Sequence, residues 1–235
     1  MTEWQYEPIQ QLPPEALAAN SRLMNAARTQ LYRCIRWWLS SRFHFRVEGA
    51  EVFERVEQFV LIANHTSHLD TVCLLAAMPA KRRNRCYSAA AEDYFYTNAF
   101  KEQAARLLAN TFPFRRRGDV ANSLQACVRI LERGDSLIFY PEGTRSATGE
   151  LQPFRKGIGL LVQGRPFAVI PAHLSGAHEA LGKGRLLPRA SRLYLRLGAP
   201  QRFADEPSGE AAALAIAQRL HACVQALGQK EVLAG

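Results

Sequence analysis

A histidine and a carboxylate five positions apart, His65 and Asp70, carry the clearest chemistry in this chain of 235 residues. An imidazole suits proton transfer near neutral pH, and a carboxylate on one ring nitrogen selects the tautomer that leaves the other nitrogen free as a base. The two stand in Asn64-His65-Thr66-Ser67-His68-Leu69-Asp70. The apolar run Phe59-Val60-Leu61-Ile62-Ala63 before it predicts a buried strand, and Thr71 to Met78 after it predicts the body of a helix. The spacing imposes a condition. Five steps of about 100° along one helix leave two side chains about 140° apart. The pair meets only if His65 precedes the helix and Asp70 reaches back from its first turn. Ser67 as N-cap allows this and places Asp70 at N3. The same Ser-x-x-acid spacing is that of a capping box, and an acid in a first turn is favourable in any case; capping and catalysis are compatible roles. His68 does not complete a metal site: the spacing is not His-Glu-x-x-His, and no further His/Cys cluster lies nearby. It reads as a first-turn surface or packing residue.

Tyr140-Pro141-Glu142-Gly143-Thr144-Arg145-Ser146 is the second informative stretch. A glycine that admits close backbone approach, a hydroxyl and a guanidinium can together cradle a phosphate. A plain turn after a strand uses the same residues. Arg155 and Lys156 nearby favour anion binding. Arg115-Arg116-Arg117 reads as a solvated loop or as the end of a short strand with one arginine turned to the site. Gly182-Lys183-Gly184-Arg185 reads as a basic, flexible connector, with contact to a phosphate as the alternative. No nucleophile elbow, Walker loop or dinucleotide-binding glycine pattern occurs.

The elements that must position these residues alternate along the chain. Strands are predicted over 43–47, 59–63, 85–90, 110–114, 136–140, 167–174 and 192–197. Helices are predicted from Pro14 to about Arg42, over 71–78, 93–109, 120–132, 157–163 and 211–227, with a loop over 79–85 and irregular chain before Pro13. This order implies an α/β fold: a single mixed, largely parallel sheet covered by helices on both faces, with an N-terminal amphipathic helical extension. In such sheets, sites form outside the carboxyl ends of strands, and both His65 and Glu142 lie just past one.

Composition narrows the class. With 48% hydrophobic and 22% charged residues the chain is globular, without linkers or repeats. Its net charge of +9, with 30 Lys+Arg against 21 Asp+Glu, favours acidic partners. Five cysteines without a CxxC read as free thiols in a reducing compartment. Neither a signal peptide nor a transmembrane run is expected. Apolar positions Leu23, Ala27, Leu31, Ile35 and Trp38 recur at helical spacing among arginines, with Tyr32, Trp37 and Leu39 widening the face, the pattern either of an interfacial anchor or of a helix packed on the domain.

Taken together, these stretches resemble the glycerolipid acyltransferase family, the PlsC type that includes 1-acyl-glycerol-3-phosphate acyltransferase. The segment 64–70 is similar to its Asn-His-x-Ser-x-x-Asp block with the His-x4-Asp core, and 140–145 to its Phe/Tyr-Pro-Glu-Gly-Thr-Arg block. Phe112-Pro113-Phe114-Arg115 looks like its second block, with Pro113 where an aliphatic residue is usual, and Val169-Ile170-Pro171 looks like its fourth. The resemblance implies that His65 takes a proton from an acceptor hydroxyl, that Asp70 orients His65 and stabilises its charged form, and that the oxygen attacks an acyl thioester without a covalent acyl-enzyme. It implies substrate-binding roles for Asn64, Arg115, Glu142, Gly143, Thr144 and Arg145, with Arg116 and Arg117 as rivals of Arg115. The expected reaction acylates a lysophospholipid, 1-acyl-glycerol-3-phosphate to phosphatidic acid, with acyl-CoA or acyl carrier protein as donor and with neither metal nor resident cofactor. Residues 1–42 are expected to form a membrane-association segment and 43–235 the acyltransferase domain, peripheral at the cytoplasmic face of an anionic membrane. Two other readings stay open: a different acceptor such as lyso-ornithine lipid, and a non-catalytic protein that binds anionic lipid or nucleic acid. No nucleic-acid motif or repeated aromatic platform supports the nucleic-acid branch.

Overall fold

The computed structural model describes residues 22–91, 107–114, 120–185 and 187–229. Its centre is β2 (Phe59–Ala63), buried along its whole length. Alternation across a strand sends Phe59, Leu61 and Ala63 into one apolar layer and Val60 and Ile62 into the other. A strand that is apolar on both faces belongs in the middle of a covered sheet. The seven-stranded sheet runs β1 (Arg46–Glu48), β7 (Tyr194–Leu197), β6 (Ala168–Ser175), β2, β5 (Ser136–Phe139), β3 (Cys86–Ala91), β4 (Thr111–Phe114). The five strands from β6 to β4 are parallel, β7 is antiparallel to β6, and β1 is parallel to β7. Ile62 pairs with Phe139 on one side and Pro171 on the other. The carboxyl ends of β2 and β5 are therefore level, β6 runs on past them to Ser175, and the segments leaving β2 and β5 share one edge.

Helices α1 (Arg22–Phe43), α2 (Val52–Arg55), α3 (Leu69–Ala77) and α7 (Ala177–Leu181) cover the first face. Helices α5 (Val120–Glu132), α6 (Gly157–Val162) and α8 (Glu210–Gln229) cover the second. Ala213, Ile216, Ala217, Leu220, Val224 and Leu227 of α8 are buried at helical spacing. α8 lies so close to α6 that a Cβ on Gly159 would fall 2.0 Å from the Ala213 carbonyl oxygen. The α/β class, the mixed sheet and its covering on both faces are as expected from the sequence.

Three local expectations are corrected. The Phe43-Phe45-Val47 alternation imitates a strand, yet Phe43 closes α1 and the chain leaves the helix through His44 at φ 50, so pairing starts only at Arg46. The basic segment after Pro79 contains a helical turn, α4 (Ala80–Arg83). It forms because Arg83 is buried: its guanidinium donates to the carbonyls of Leu75 and Met78 and lies 4.5 Å from the Tyr32 ring centroid. The packed stripe of α1 is Arg28, Tyr32, Leu39 and Phe43, one edge of the predicted face, whose Leu23, Ala27, Trp37 and Trp38 are exposed. Arg28 Nε and the Tyr32 hydroxyl donate to the carbonyls of Leu107 and Leu108 at 2.9 and 2.7 Å, and those bonds set the rotation of the helix. Leu23 and Trp37 consequently face outward, 81% and 73% exposed. The irregular start, most of the predicted 93–109 helix, and Arg115, Arg116 and Arg117 lie outside the described residues.

Candidate active site

The turn after β2 meets the condition set by its spacing. His65 precedes α3, and its Nδ1 lies 2.9 Å from Asp70 Oδ2, with the two side chains 20% and 1% exposed. The same carboxylate oxygen accepts the main-chain N–H groups of Thr66 at 2.7 Å and Ser67 at 2.9 Å. An oxygen already accepting two main-chain donors accepts a third from the ring, so the hydrogen sits on Nδ1 and Nε2 keeps its lone pair. The hydroxyl of Ser67 accepts the Leu69 N–H at 3.0 Å and donates to the Leu181 carbonyl at 2.7 Å. Capping and orientation therefore coexist on one turn. The regular helix begins at Leu69 with His68 in the N-cap position, one residue later than a Ser67 N-cap implies. His68 stands on the exposed side of the turn. Desolvation first, then the charge of Arg145 and then His65, push its imidazole below the ordinary range.

The stretch after β5 acts on His65 from below. Glu142 Oε1 accepts the main-chain N–H of His65 at 2.7 Å, and Ser146 N–H donates to the His65 carbonyl at 2.7 Å. Both main-chain groups of the histidine are thus held by one segment. The Tyr140 ring stacks on the imidazole with centroids 4.0 Å apart and planes 15° from parallel, and its hydroxyl is 2.8 Å from Thr71 Oγ1 on α3. Tyr140, Thr71 and Ser146 were not among the sequence candidates. Only the position of Tyr140 next to Pro141 hints at a role, because the stacking exists only once β2 and β5 are paired.

The expected substrate-binding residues separate into two groups. Asn64 and Glu142 are buried and engaged with main chain. The Asn64 amide donates to the Leu174 carbonyl at 3.0 Å and accepts the Leu174 N–H at 2.8 Å, joining β2 to the end of β6. Glu142 gives its second oxygen to the Gln152 N–H at 3.2 Å. In this geometry both brace the turn, and neither presents its side chain to a substrate. Gly143, Thr144 and Arg145 lie at the accessible edge. Gly143 adopts φ 75 and packs under Arg155, where a Cβ would come within 3.0 Å of Nε.

Burial pushes the Glu142 carboxyl up to about 7, against the pull of the two main-chain donors and with a further upward push from Asp70. The sign of the consequence follows from proton counting. Between the usual value near 4.5 and about 7 the folded state holds more of this proton than the unfolded state. Stability contributed by the protonated group therefore falls as pH rises through that window. Urea titrations from pH 4.5 to 7 are expected to show a downward slope in wild type that Glu142→Gln lacks, and equal slopes would show that Glu142 is ionised throughout. Among the cysteines, Cys73, Cys86 and Cys127 are buried free thiols, with burial raising all three.

Comparison with known proteins places the chain in a family. The family model described as Acyltransferase matches residues 44–175. A 1-acyl-sn-glycerol-3-phosphate acyltransferase of Cocos nucifera is 28% identical over 177 residues, 74% of this chain and 54% of the relative. One of Limnanthes douglasii is 29% identical over 146 residues, 59% of this chain and 48% of the relative. The chain thus spans about half the length of these two relatives. The solved structure of the 1-acyl-sn-glycerophosphate (LPA) acyltransferase PlsC from Thermotoga maritima superposes with a TM-score of 0.66 at 21% identity, covering 92% of this chain and 87% of that one. That likeness establishes the shared fold.

Proposed function

This chain belongs to the acyltransferase family, and from that premise we propose that it transfers a fatty acyl group from an acyl thioester to the hydroxyl of a lysophospholipid, 1-acyl-glycerol-3-phosphate in the first place, giving phosphatidic acid. The observation that carries the reading is the His65–Asp70 pair, with Nδ1 held at 2.9 Å and Nε2 left as the basic atom. Nε2 takes the hydroxyl proton as the oxygen attacks the thioester carbonyl. The C–S bond then breaks, and the departing thiolate takes the proton back from the imidazolium. Asp70 stabilises that imidazolium, and the Tyr140 face beneath the ring adds to it. A thioester is already activated, so a positioned base contributing roughly 10²–10⁴-fold, together with proximity, meets the demand. Glu142, Asn64 and Ser146 act as braces of the base. Gly143, Thr144, Arg145 and Arg115 are assigned to the acceptor's anionic head.

The names of the relatives support the choice of acceptor. The decisive experiment supplies purified protein with acyl-CoA or acyl carrier protein donors and a panel of lyso-lipids, lyso-ornithine lipid included, and identifies products by mass. Acylation of 1-acyl-glycerol-3-phosphate at the highest kcat/KM is expected; a clear preference for another acceptor reassigns the substrate. Arg115→Ala is expected to raise the acceptor KM by roughly tenfold, the cost of one charge-assisted contact, while changing the donor KM little. An unchanged acceptor KM moves the role to Arg116 or Arg117.

We also propose peripheral attachment to the cytoplasmic face of an anionic membrane. No helix among the described residues is long and apolar enough to cross a membrane. α1 leaves Leu23 and Trp37 outward among exposed Arg22, Arg33, Arg36 and Arg42, the composition of a helix lying in an interface.

A further inference from the structure

The loop between α7 and β7 carries features that the proposed chemistry does not use. Residues 182–192 contain Lys183, Arg185, Arg189 and Arg192 and no acidic residue. All four cations are exposed, and Leu187 stands among them 79% exposed. The loop is held in place. Arg189 N–H donates to the Ala180 carbonyl at 2.8 Å, Arg185 Nη1 to the Glu179 carbonyl at 2.7 Å, and Ser191 Oγ to the Gly176 carbonyl at 3.0 Å. Its entry is fastened to the turn that carries His65: Ser67 Oγ bonds the Leu181 carbonyl at 2.7 Å, and Ser67 forms an antiparallel bridge with Gly182. Its exit is fastened to the end of α1: Leu193 N–H donates to the Phe43 carbonyl, and Arg46 N–H to the Leu193 carbonyl, both at 3.0 Å. Among the described residues the exposed large apolar side chains are Leu23, Met24, Trp37 and Trp38 on α1, Leu187 on this loop, and Leu214. All but one therefore lie on two elements that are stitched together.

We infer that the 182–192 loop is a second lipid contact, one that seats the His65 turn on an anionic bilayer. Leu187 enters the acyl-chain boundary, while Lys183, Arg185, Arg189 and Arg192 bind the phosphate headgroups around it. An exposed leucine in a loop with four exposed cations suits a lipid surface, which needs no complementary shape. A protein partner would call for a contiguous packed patch with an apolar centre. The purpose of the contact rests on the acyltransferase reading, since an amphiphilic acceptor and its product both reside in the bilayer. The contact itself rests on charge, exposure and the two anchors.

The test uses the full chain and vesicles of phosphatidylcholine alone or mixed with phosphatidylglycerol. Wild type is expected to partition to the mixed vesicles and Leu187→Asp to bind them about tenfold less. The double variant Lys183→Gln/Arg189→Gln is expected to lose binding to the mixed vesicles with a shallower salt dependence. Thermal unfolding stays unchanged for both, because the substituted side chains are exposed. Unchanged partition of both variants overturns the inference. Unchanged partition with a raised KM for an acyl carrier protein donor also overturns it, in favour of an acidic protein partner. Loss of partition in Leu187→Asp, with no acyl transfer by wild type to any acceptor, upholds the lipid contact and removes the enzyme reading.

Discussion

Alanine at His65 is expected to lower kcat for the proposed acyl transfer by roughly 10²–10⁴-fold, the contribution of a positioned general base, and to leave the protein folded. The second half of that statement comes from how the residue is held. Its main-chain N–H and carbonyl carry the bonds to Glu142 and Ser146, and alanine keeps both. Asp70 retains its two main-chain donors from Thr66 and Ser67. What disappears is the imidazole, its bond to Asp70 and its stacking on Tyr140. Single-turnover rates and thermal unfolding measured together check both halves. A folded variant with full activity removes His65 from the mechanism.

Asparagine at Asp70 is expected to be milder than alanine there, and the geometry says why. The position of Oδ2 faces three donors, two of them main-chain N–H groups that cannot rotate away. An amide NH2 placed there would meet them head-on, so the asparagine must turn its oxygen toward them. The ring then keeps its Nδ1–H tautomer and loses only the negative charge. A neighbouring opposite charge moves a pKa by about 1–3 units, so losing it weakens stabilisation of the imidazolium and lowers kcat by about 10–10³-fold. The amide nitrogen falls at the position of Oδ1, which is buried without a partner among the described residues. A buried donor left unsatisfied there costs about 1–3 kcal/mol of stability. Alanine at Asp70 loses the tautomer control as well and is expected to approach the His65 variant in kcat. The measurements are pH–rate profiles and urea unfolding of both variants. Equal losses for asparagine and alanine would show that the amide adopts the other orientation.

Much of the scaffold was legible from local pattern. The five apolar residues of β2 could only form a covered central strand, and the helical spacing in α5 and α8 was regular enough to place both elements. The His65–Asp70 condition was likewise a matter of covalent geometry: five positions cannot meet along a helix, so the turn had to intervene. Two of the errors came where a polar residue found a partner outside its own element. Tyr32 and Arg28 reach carbonyls 76 and 79 positions away and turn the Tyr32 and Leu39 edge of the predicted α1 face inward. Arg83, buried against the Leu75 and Met78 carbonyls, turns a charged segment into a helical turn.

The division of labour inside the site shows the same limit. Residue types and spacing offered a candidate base, an orienting acid and a candidate anion-binding turn, because those properties belong to side chains and to short stretches of backbone. They could not separate contact with substrate from support of the base. Asn64 and Glu142 read as ligands for a polar head until the sheet brings β2, β5 and β6 to one edge, where Leu174, His65 and Gln152 main-chain groups take them up. Buried main-chain donors and acceptors require partners, and which side chain supplies them is decided by strand register. That register lies in long-range pairing, so it was the tertiary structure that made Glu142 a brace and put Tyr140 beneath the imidazole.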